Sequence, residues 1–271
     1  MPAKSLAKKW LPPSLLEHLK PLLGRGIYFS GNYADWETAS ARASGYDSGL
    51  ILERVKQASL KVKSGEAVFE RDSVLFDEIQ YSFPVLAGLL RAAAENGNRL
   101  SVLDFGGSLG SSYFQCRGFL AVLKGLQWCV VEQPHFVCCG RKHFETGQLR
   151  FFHAIAECIA QAAPNVALLS SVLQYVPEPY DVLRELMNTD IRYIVIDRTP
   201  FSELDNDRIT VQHVPPSIYP ASYPCRIFGR RPFLDRFHRD YEVVARFDSN
   251  DGSATASGLE FTFGGVILRK A

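Results

Sequence analysis

The chain of 271 residues predicts an α/β fold: a mostly parallel sheet with helices on both faces, a C-terminal antiparallel hairpin, and a helical extension at the N-terminus. Three observations predict it. Short β-branched runs alternate with helical patterns between residues 100 and 196, which argues for right-handed βαβ units. Two further strand-like runs close the chain. Before residue 99 the apolar residues fall at helical spacing.

Each element follows in order. In residues 1–26, Lys4, Lys8, Lys9, Lys20 and Arg25 face only Glu17, with Trp10, Leu11, Leu15, Leu16, Leu19, Leu22 and Leu23 between them. That composition suits a weak peripheral membrane contact. Pro12, Pro13 and Pro21 cut any helix short there, which favours a short segment packed on the body of the protein. Residues 37–64 and 77–95 read as helices from Leu50, Ile51, Val55 and Ala58, then Val85, Leu86, Leu89, Leu90 and Ala93. Glu95-Asn96-Gly97-Asn98 ends the second, because Gly and Asn adopt the left-handed backbone that terminates a helix. Strands are then expected at 100–105, 127–131, 149–153, 166–170 and 191–196, with helices at about 111–124, 135–146, 155–162 and 178–188. Residues 241–248 and 260–269 form the hairpin, joined by the polar turn Ser249-Asn250-Asp251-Gly252-Ser253. Between the fifth strand and this hairpin, residues 199–235 hold Pro200, Pro215, Pro216, Pro220, Pro224 and Pro232 with little periodicity, and read as a long ordered loop or cap. The expected organisation is an N-terminal extension or lid over 1–98 and a main domain over 99–271 with that cap inserted.

Composition narrows the function. Lys+Arg 30 against Asp+Glu 29 leaves a net charge of +1, too small for the field that draws a protein to nucleic acid. The cysteines at 116, 129, 138, 139, 158 and 225 form no CxxC pair, so neither a zinc site nor a disulfide framework is expected. Cys138-Cys139 reads as a buried apolar pair. With no apolar run of membrane-spanning length, the expected location is the cytoplasm.

The chemistry concentrates after the first β-run, where residues 102–110 read Val-Leu-Asp-Phe-Gly-Gly-Ser-Leu-Gly. Gly106, Gly107 and Gly110 let the backbone turn tightly and approach a ligand, and the helix that follows presents unpaired N–H groups. Glu132 ends the second run, where an acidic side chain accepts hydrogen bonds from ribose hydroxyls. Together they describe an adenosine-type site. A dinucleotide fingerprint is disfavoured, because Ser108 stands where the second glycine belongs and the third lies two residues on, at Gly110.

Asp104-x-Gly106-x-Ser108-x-Gly110 resembles the Asp-x-Gly-x-Gly-x-Gly motif of class I methyltransferases that use S-adenosyl-L-methionine (SAM), with one Gly-to-Ser departure. The resemblance continues through Glu132, Leu169-Ser170-Ser171-Val172-Leu173-Gln174-Tyr175 and the terminal hairpin, and covers about residues 99–271. It implies a Rossmann-like fold and SAM as cofactor, held by Asp104, Gly106, Gly107, Ser108, Gly110, Glu132, Gln133, Ser170 and Ser171. Phe29-Ser30-Gly31-Asn32-Tyr33 with Trp36, Gly45-Tyr46-Asp47-Ser48 and Glu70-Arg71-Asp72-Ser73 are similar to a bacterial methyltransferase family often associated with surface-polysaccharide biosynthesis genes. That likeness implies a small-molecule, sugar or glycan-precursor acceptor.

For methyl transfer to a hydroxyl, Asp197, His213 and, with less support, His238 are the candidate bases, and Tyr175, Tyr219 and Tyr223 the candidate acceptor walls. Each has an ordinary reading too: Asp197 as the ion-pair partner of Arg198, His213 as a loop histidine, the tyrosines as core. Tyr33 and Arg71 are expected to fold over the cofactor, Arg71 meeting a carboxylate or else Asp72. Two other functions fit the same residues. Gly106-Gly107-Ser108-Leu109-Gly110 also matches the nucleophile elbow of α/β-hydrolases, with Asp197 and His213 or His238 completing a triad. The fold also suits a non-catalytic binding protein.

Overall fold

The computed structural model describes residues 26–45, 48–71, 73–216, 218 and 220–271. The chain begins with β1 (Tyr28–Tyr33), α1 (Trp36–Arg42), α2 (Ser48–Ser64), β2 (Phe69–Arg71), β3 (Val74–Phe76) and α3 (Phe83–Ala94). The alternating region follows: β4 (Arg99–Phe105), α4 (Ser111–Leu120), β5 (Gly125–Val131), α5 (Pro134–His143), β6 (Leu149–Phe152), α6 (Ile155–Ala162), β7 (Val166–Ser170) and α7 (Pro179–Met187). A 3-10 turn over Leu173–Tyr175 separates the last two. The chain ends with β8 (Tyr193–Ser202), β9 (Arg208–Val214), β10 (Ala221–Gly229), α8 (Arg230–Asp235), β11 (Tyr241–Ala256) and β12 (Leu259–Lys270).

Five parallel strands stand in the order β6-β5-β4-β7-β8, and β12 and then β11 extend them antiparallel. The expected strands fold as strands because their apolar runs are buried on both faces, as a helix-covered parallel sheet requires. Side chains alternate between those faces with period two. Val102, Val130, Leu168 and Val195 join one core under α2, α3, α4 and α5. Leu103, Cys129, Leu169 and Ile196 join the other under α6, α7 and α8. Each fully buried aliphatic side chain contributes about 1.5–3 kcal/mol. Two helices expected over 37–64 and 77–95 are present as α1 with α2 and as α3. Gly45, at φ +88°, breaks the first of them.

Three expectations are corrected. First, the sheet is not a parallel sheet that ends in a hairpin: it is a mixed sheet of ten strands, and β8, β12, β11, β1, β9 and β10 close into a ring through the β8–β10 pairing. β1 belongs to the segment expected to be a helical extension, so the sheet crosses the boundary at residue 98. Phe29 pairs with Ala256 and Gln212, and with Cys225, Ile227 and Phe261 it fills the ring. Second, residues 199–235 are not a loop-like cap but the end of β8, the β9–β10 hairpin and α8. Pro200 and Pro224 sit inside strands, opposite Phe263 and Val211, and Pro224 masked the alternation of Cys225, Ile227 and their neighbours in β10. Third, the terminal hairpin turns at Ser257 (φ +46°) and Gly258 (φ +83°), the two positive φ values of a primed turn. Residues 249–252 form a bulge within β11: the partners step from Asp248–Gly264 to Ser253–Thr262. Beyond the bulge, Ala254 and Ala256 rejoin the ring interior, which keeps the strand going.

No helix among the described residues is long and apolar enough to cross a membrane. The expected peripheral contact lies outside the described residues apart from Gly26.

Candidate functional site

The strand order reverses at β4, with β5 on one side and β7 on the other. Loops leaving two such strands diverge, and a crevice opens at their carboxyl ends. Here it is a cleft of about 2050 Å³, whose walls include Gly106, Gly107, Ser108, Glu132, Ser170 and Tyr175.

The loop after β4 is built from steric necessity. A Cβ on Gly106 (φ +70°) would lie 2.3 Å from Val172 Cγ2, and one on Gly107 would lie 2.4 Å from Asp104 Oδ2. Gly110, at φ +94°, caps α4. Ser108 keeps the left-handed backbone at φ +55° despite its Cβ, a strain of about 1–2 kcal/mol. Its N–H donates to Glu132 Oε1 at 3.2 Å, and the Gln133 N–H donates to Glu132 Oε2 at 2.8 Å. Two backbone donors thus orient the Glu132 carboxylate, and burial raises its pKa above the usual carboxylate range. Gln133 and Pro134 stand beside it on the cleft wall.

Asp104 takes a different place from the one expected. It is 1% exposed, lies beneath the loop rather than on the cleft wall, and accepts from Trp128 Nε1 at 2.8 Å. Burial pushes its carboxyl up to about 7, against the lowering effect of the Trp128 donor. Gly110 shapes the loop, likewise without lining the cleft.

Across from that loop, Ser170 and Ser171 line the cleft at the end of β7. Ser170 Oγ donates to Asp197 Oδ2 at 3.2 Å, and the Ser171 N–H donates to the Asp197 carbonyl at 3.0 Å. Asp197 is 3% exposed, its Oδ1 has no hydrogen-bond partner among the described residues, and burial raises its pKa, with Arg198 opposing. A one-residue bulge in β8 (Ile196–Thr199 against Val266–Gly264) places Arg198 at φ +49°. That bulge turns Arg198 toward the cleft and Asp197 away from it, and Ser170 links Asp197 to the cleft wall.

His213 does not join the site. Strand periodicity sends its neighbours Gln212 and Val214 to the cleft and His213 to the other face. There it stacks on Tyr28 at 4.4 Å, its Nε2 is 2.8 Å from Ser30 Oγ, and burial lowers its pKa. His238 is exposed, with Nδ1 against the Asp235 carbonyl. The Ser108, Asp197 and histidine groups of a hydrolase triad are therefore held in three separate networks. Tyr175 and Tyr223 do meet, edge to face at 5.3 Å. Tyr175 donates to Gln212 Oε1 at 2.9 Å, and Gln212 Nε2 donates to Tyr223 at 3.3 Å. Tyr219 lies outside the described residues.

From the N-terminal part, Arg71 lines the cleft and pairs with Asp251 Oδ1 of the β11 bulge at 3.7 Å. Asp72, its other expected partner, lies outside the described residues, as do Tyr46 and Asp47. The Tyr33 ring covers Gly31 and is not on the cleft wall. Sequence reasoning assigned no role to Glu70, which is 2% exposed, lines the cleft and accepts from Ser59 Oγ, the Ser73 N–H and Ser111 Oγ. Its sequence signal was its place in the Glu70-Arg71-Asp72-Ser73 motif, which gave it no role, because burial of a three-residue strand leaves no periodic trace. Cys138 is exposed and Cys139 half-buried, which corrects the expected buried pair. Among the described residues, no group of His, Cys, Asp and Glu is placed to hold a metal ion.

No protein-family model matches the chain, and no curated protein matches it by sequence. Solved structures similar to it include the N-terminal domain of EvdMO1 in the presence of SAH and D-fucose, at 16% identity and a TM-score of 0.47. That match covers 81% of this chain and 97% of the other. The glycopeptide N-methyltransferase MtfA complexed with SAM is similar at 13% identity over 66% of this chain and 86% of its own, with a TM-score of 0.41. The CcbJ methyltransferase from Streptomyces caelestis is similar at 15% identity over 68% and 89%, with a TM-score of 0.40.

Proposed function

We propose that the protein is a SAM-dependent methyltransferase acting on a small-molecule acceptor, a sugar or glycan precursor being the class that the sequence resemblance implies. One observation carries this reading. A glycine-built loop and an oriented carboxylate, Glu132, face one cleft at the switch point of the sheet, in the arrangement that holds an adenosine. The residues fit the group: Gly106 and Gly107 let the loop close against Val172 and Asp104 on the cleft's edge, and Glu132 has both oxygens fixed before any ribose hydroxyl arrives.

SAM supplies a methyl group already activated by its sulfonium, so the protein has chiefly to position the acceptor. Tyr175, Gln212 and Tyr223 form a connected set of hydroxyl and amide groups on the same cleft, suited to orienting a neutral polar acceptor against aromatic faces. Ser170 Oγ, on the wall and bonded to Asp197, gives a proton leaving an acceptor hydroxyl a route to a buried carboxylate. In this reading Asp197 accepts the proton and His213 braces β1 against β9. The β2–β3 hairpin of the N-terminal part closes one side of the cleft.

Calorimetric titration with S-adenosylhomocysteine and with NAD tests the proposal. The wild-type protein is expected to bind the first and not the second, and Glu132→Ala to weaken binding at least about tenfold while it still unfolds cooperatively. Folded wild-type protein that binds neither ligand, or Glu132→Ala with undiminished affinity, overturns it.

A further inference from the structure

α3 is apolar on every side: from Phe83 to Ala94 only Arg91 is polar. A helix of that composition is ordinarily enclosed on all its faces. The sheet covers one of them, where Val85, Leu86, Leu89, Ala92 and Ala93 are buried in the core. The opposite face carries Phe83, 62% exposed, and Ala87, also exposed. Beside it α4 ends with Phe119, 43% exposed, and Val122, 83% exposed, follows. Tyr81 joins the two helices. Its ring stands 4.9 Å from Phe119 and 5.9 Å from Phe83, and Phe83 meets Phe119 edge to face at 6.1 Å. Single exposed apolar residues are ordinary, but a packed cluster of aromatic rings on the surface marks a contact.

Charges on the flanks of the cluster select the partner. Gln115 and Phe119 lie on the side of α4 that meets residues 80–83, where Gln115 Nε2 donates to the Gln80 carbonyl. Asp77 and Glu78, both exposed, precede that segment. Phe114 and Arg117 lie on the other side of α4: the Phe114 ring meets Phe144 at 6.3 Å, and the exposed Arg117 guanidinium covers the Phe114 ring at 5.0 Å. The apolar cluster therefore has two acids on one flank and a cation on the other. A two-fold axis through the cluster sets the acids of each copy against Arg117 of the other, the self-complementary pairing of an isologous contact. An anionic lipid surface would repel the acidic flank.

We propose that this α3–α4 face joins two copies of the chain about a two-fold axis, with Phe83, Phe119 and Val122 at its centre and Asp77, Glu78 and Arg117 at its rim. None of these residues lines the cleft, so the contact leaves the cleft wall uncovered. It braces α4, whose first residues, Ser111 and Ser112, do line the cleft. The pairing does not depend on which cofactor the cleft holds.

Sedimentation velocity of the full chain over roughly 1 to 100 µM tests the proposal. Wild type is expected to approach twice the 30.3 kDa of one chain as concentration rises. Phe83→Asp and Val122→Asp are each expected to weaken the dimer at least about a hundredfold, because each change enters the contact twice. Both positions are exposed, so the variants are expected to melt like wild type. Asp77→Lys with Glu78→Lys is expected to weaken the dimer about fivefold, and the further change Arg117→Glu to restore it within about twofold. A dimer that Phe83→Asp and Val122→Asp leave intact, or a loss on the acidic flank that Arg117→Glu does not restore, overturns the proposal. A monomeric wild type overturns it too. In that case a midpoint lowered by Phe83→Asp points to cover by the chain's own residues 1–25, and wild type that pellets with phosphatidylglycerol vesicles points to a lipid surface.

Discussion

Asp104→Asn isolates what the buried carboxyl beneath the loop does to stability. Asp104 is 1% exposed, and burial pushes its pKa from 3.8 to about 7. Between those values the folded protein holds a proton that the unfolded chain has released. Stability from this group is therefore complete below about pH 4, falls as pH rises through the folded value, and is gone above it. A shift of about three units corresponds to roughly 4 kcal/mol across the whole range, of which about 2.5 kcal/mol falls between pH 5 and pH 8. Glu132 and Asp197 are shifted in the same direction and add to the slope. Asn retains an oxygen for the Trp128 Nε1–H and does not titrate. Urea unfolding at pH 5, 6, 7 and 8 should show wild type losing stability as pH rises and Asp104→Asn losing about 2.5 kcal/mol less over the same interval. Parallel profiles for the two proteins would refute the reasoning, because the proton would then belong to another group.

Trp128→Phe removes the donor to Asp104 and should cost about 2–4 kcal/mol at pH 8 and measurably less at pH 5, where the carboxyl is protonated and the lost bond is no longer charge-assisted. Paired melts at the two pH values check it, and equal losses would show that the indole bond does not depend on charge. Gly106→Ala combines left-handed strain with a collision against Val172, together about 2–5 kcal/mol. Gly97→Ala, at φ +64° with nothing within 4 Å of its Cβ, should cost only the strain, about 1 kcal/mol. Urea denaturation separates them, and similar costs would mean that the Val172 contact relaxes freely.

Neighbouring residues decided what was legible in the sequence. Val102, Leu103, Cys129, Leu168 and Ile196 announced their strands because a sheet buried on both faces needs continuous apolar runs, a property any short window displays. Gly106, Gly107 and Glu132 announced the cleft because a tight turn and a strand-end carboxylate are local signals. β1, β9 and β10 stayed hidden: Gly31 and Pro224 interrupt two of them and polar residues the third, and they become strands because ring partners from distant parts of the chain supply their hydrogen bonds. The same non-locality governed the site. A single-residue bulge in β8 decides that Arg198 and not Asp197 faces the cleft, and strand parity decides that Gln212 enters it while His213 does not. Sequence by itself determined the parallel half of the sheet and the glycine-built loop at the cleft, since both follow from residue type and spacing. Tertiary structure alone closed the ring and brought Glu70 to α4, because strand pairing and side-chain facing depend on partners far away in the chain.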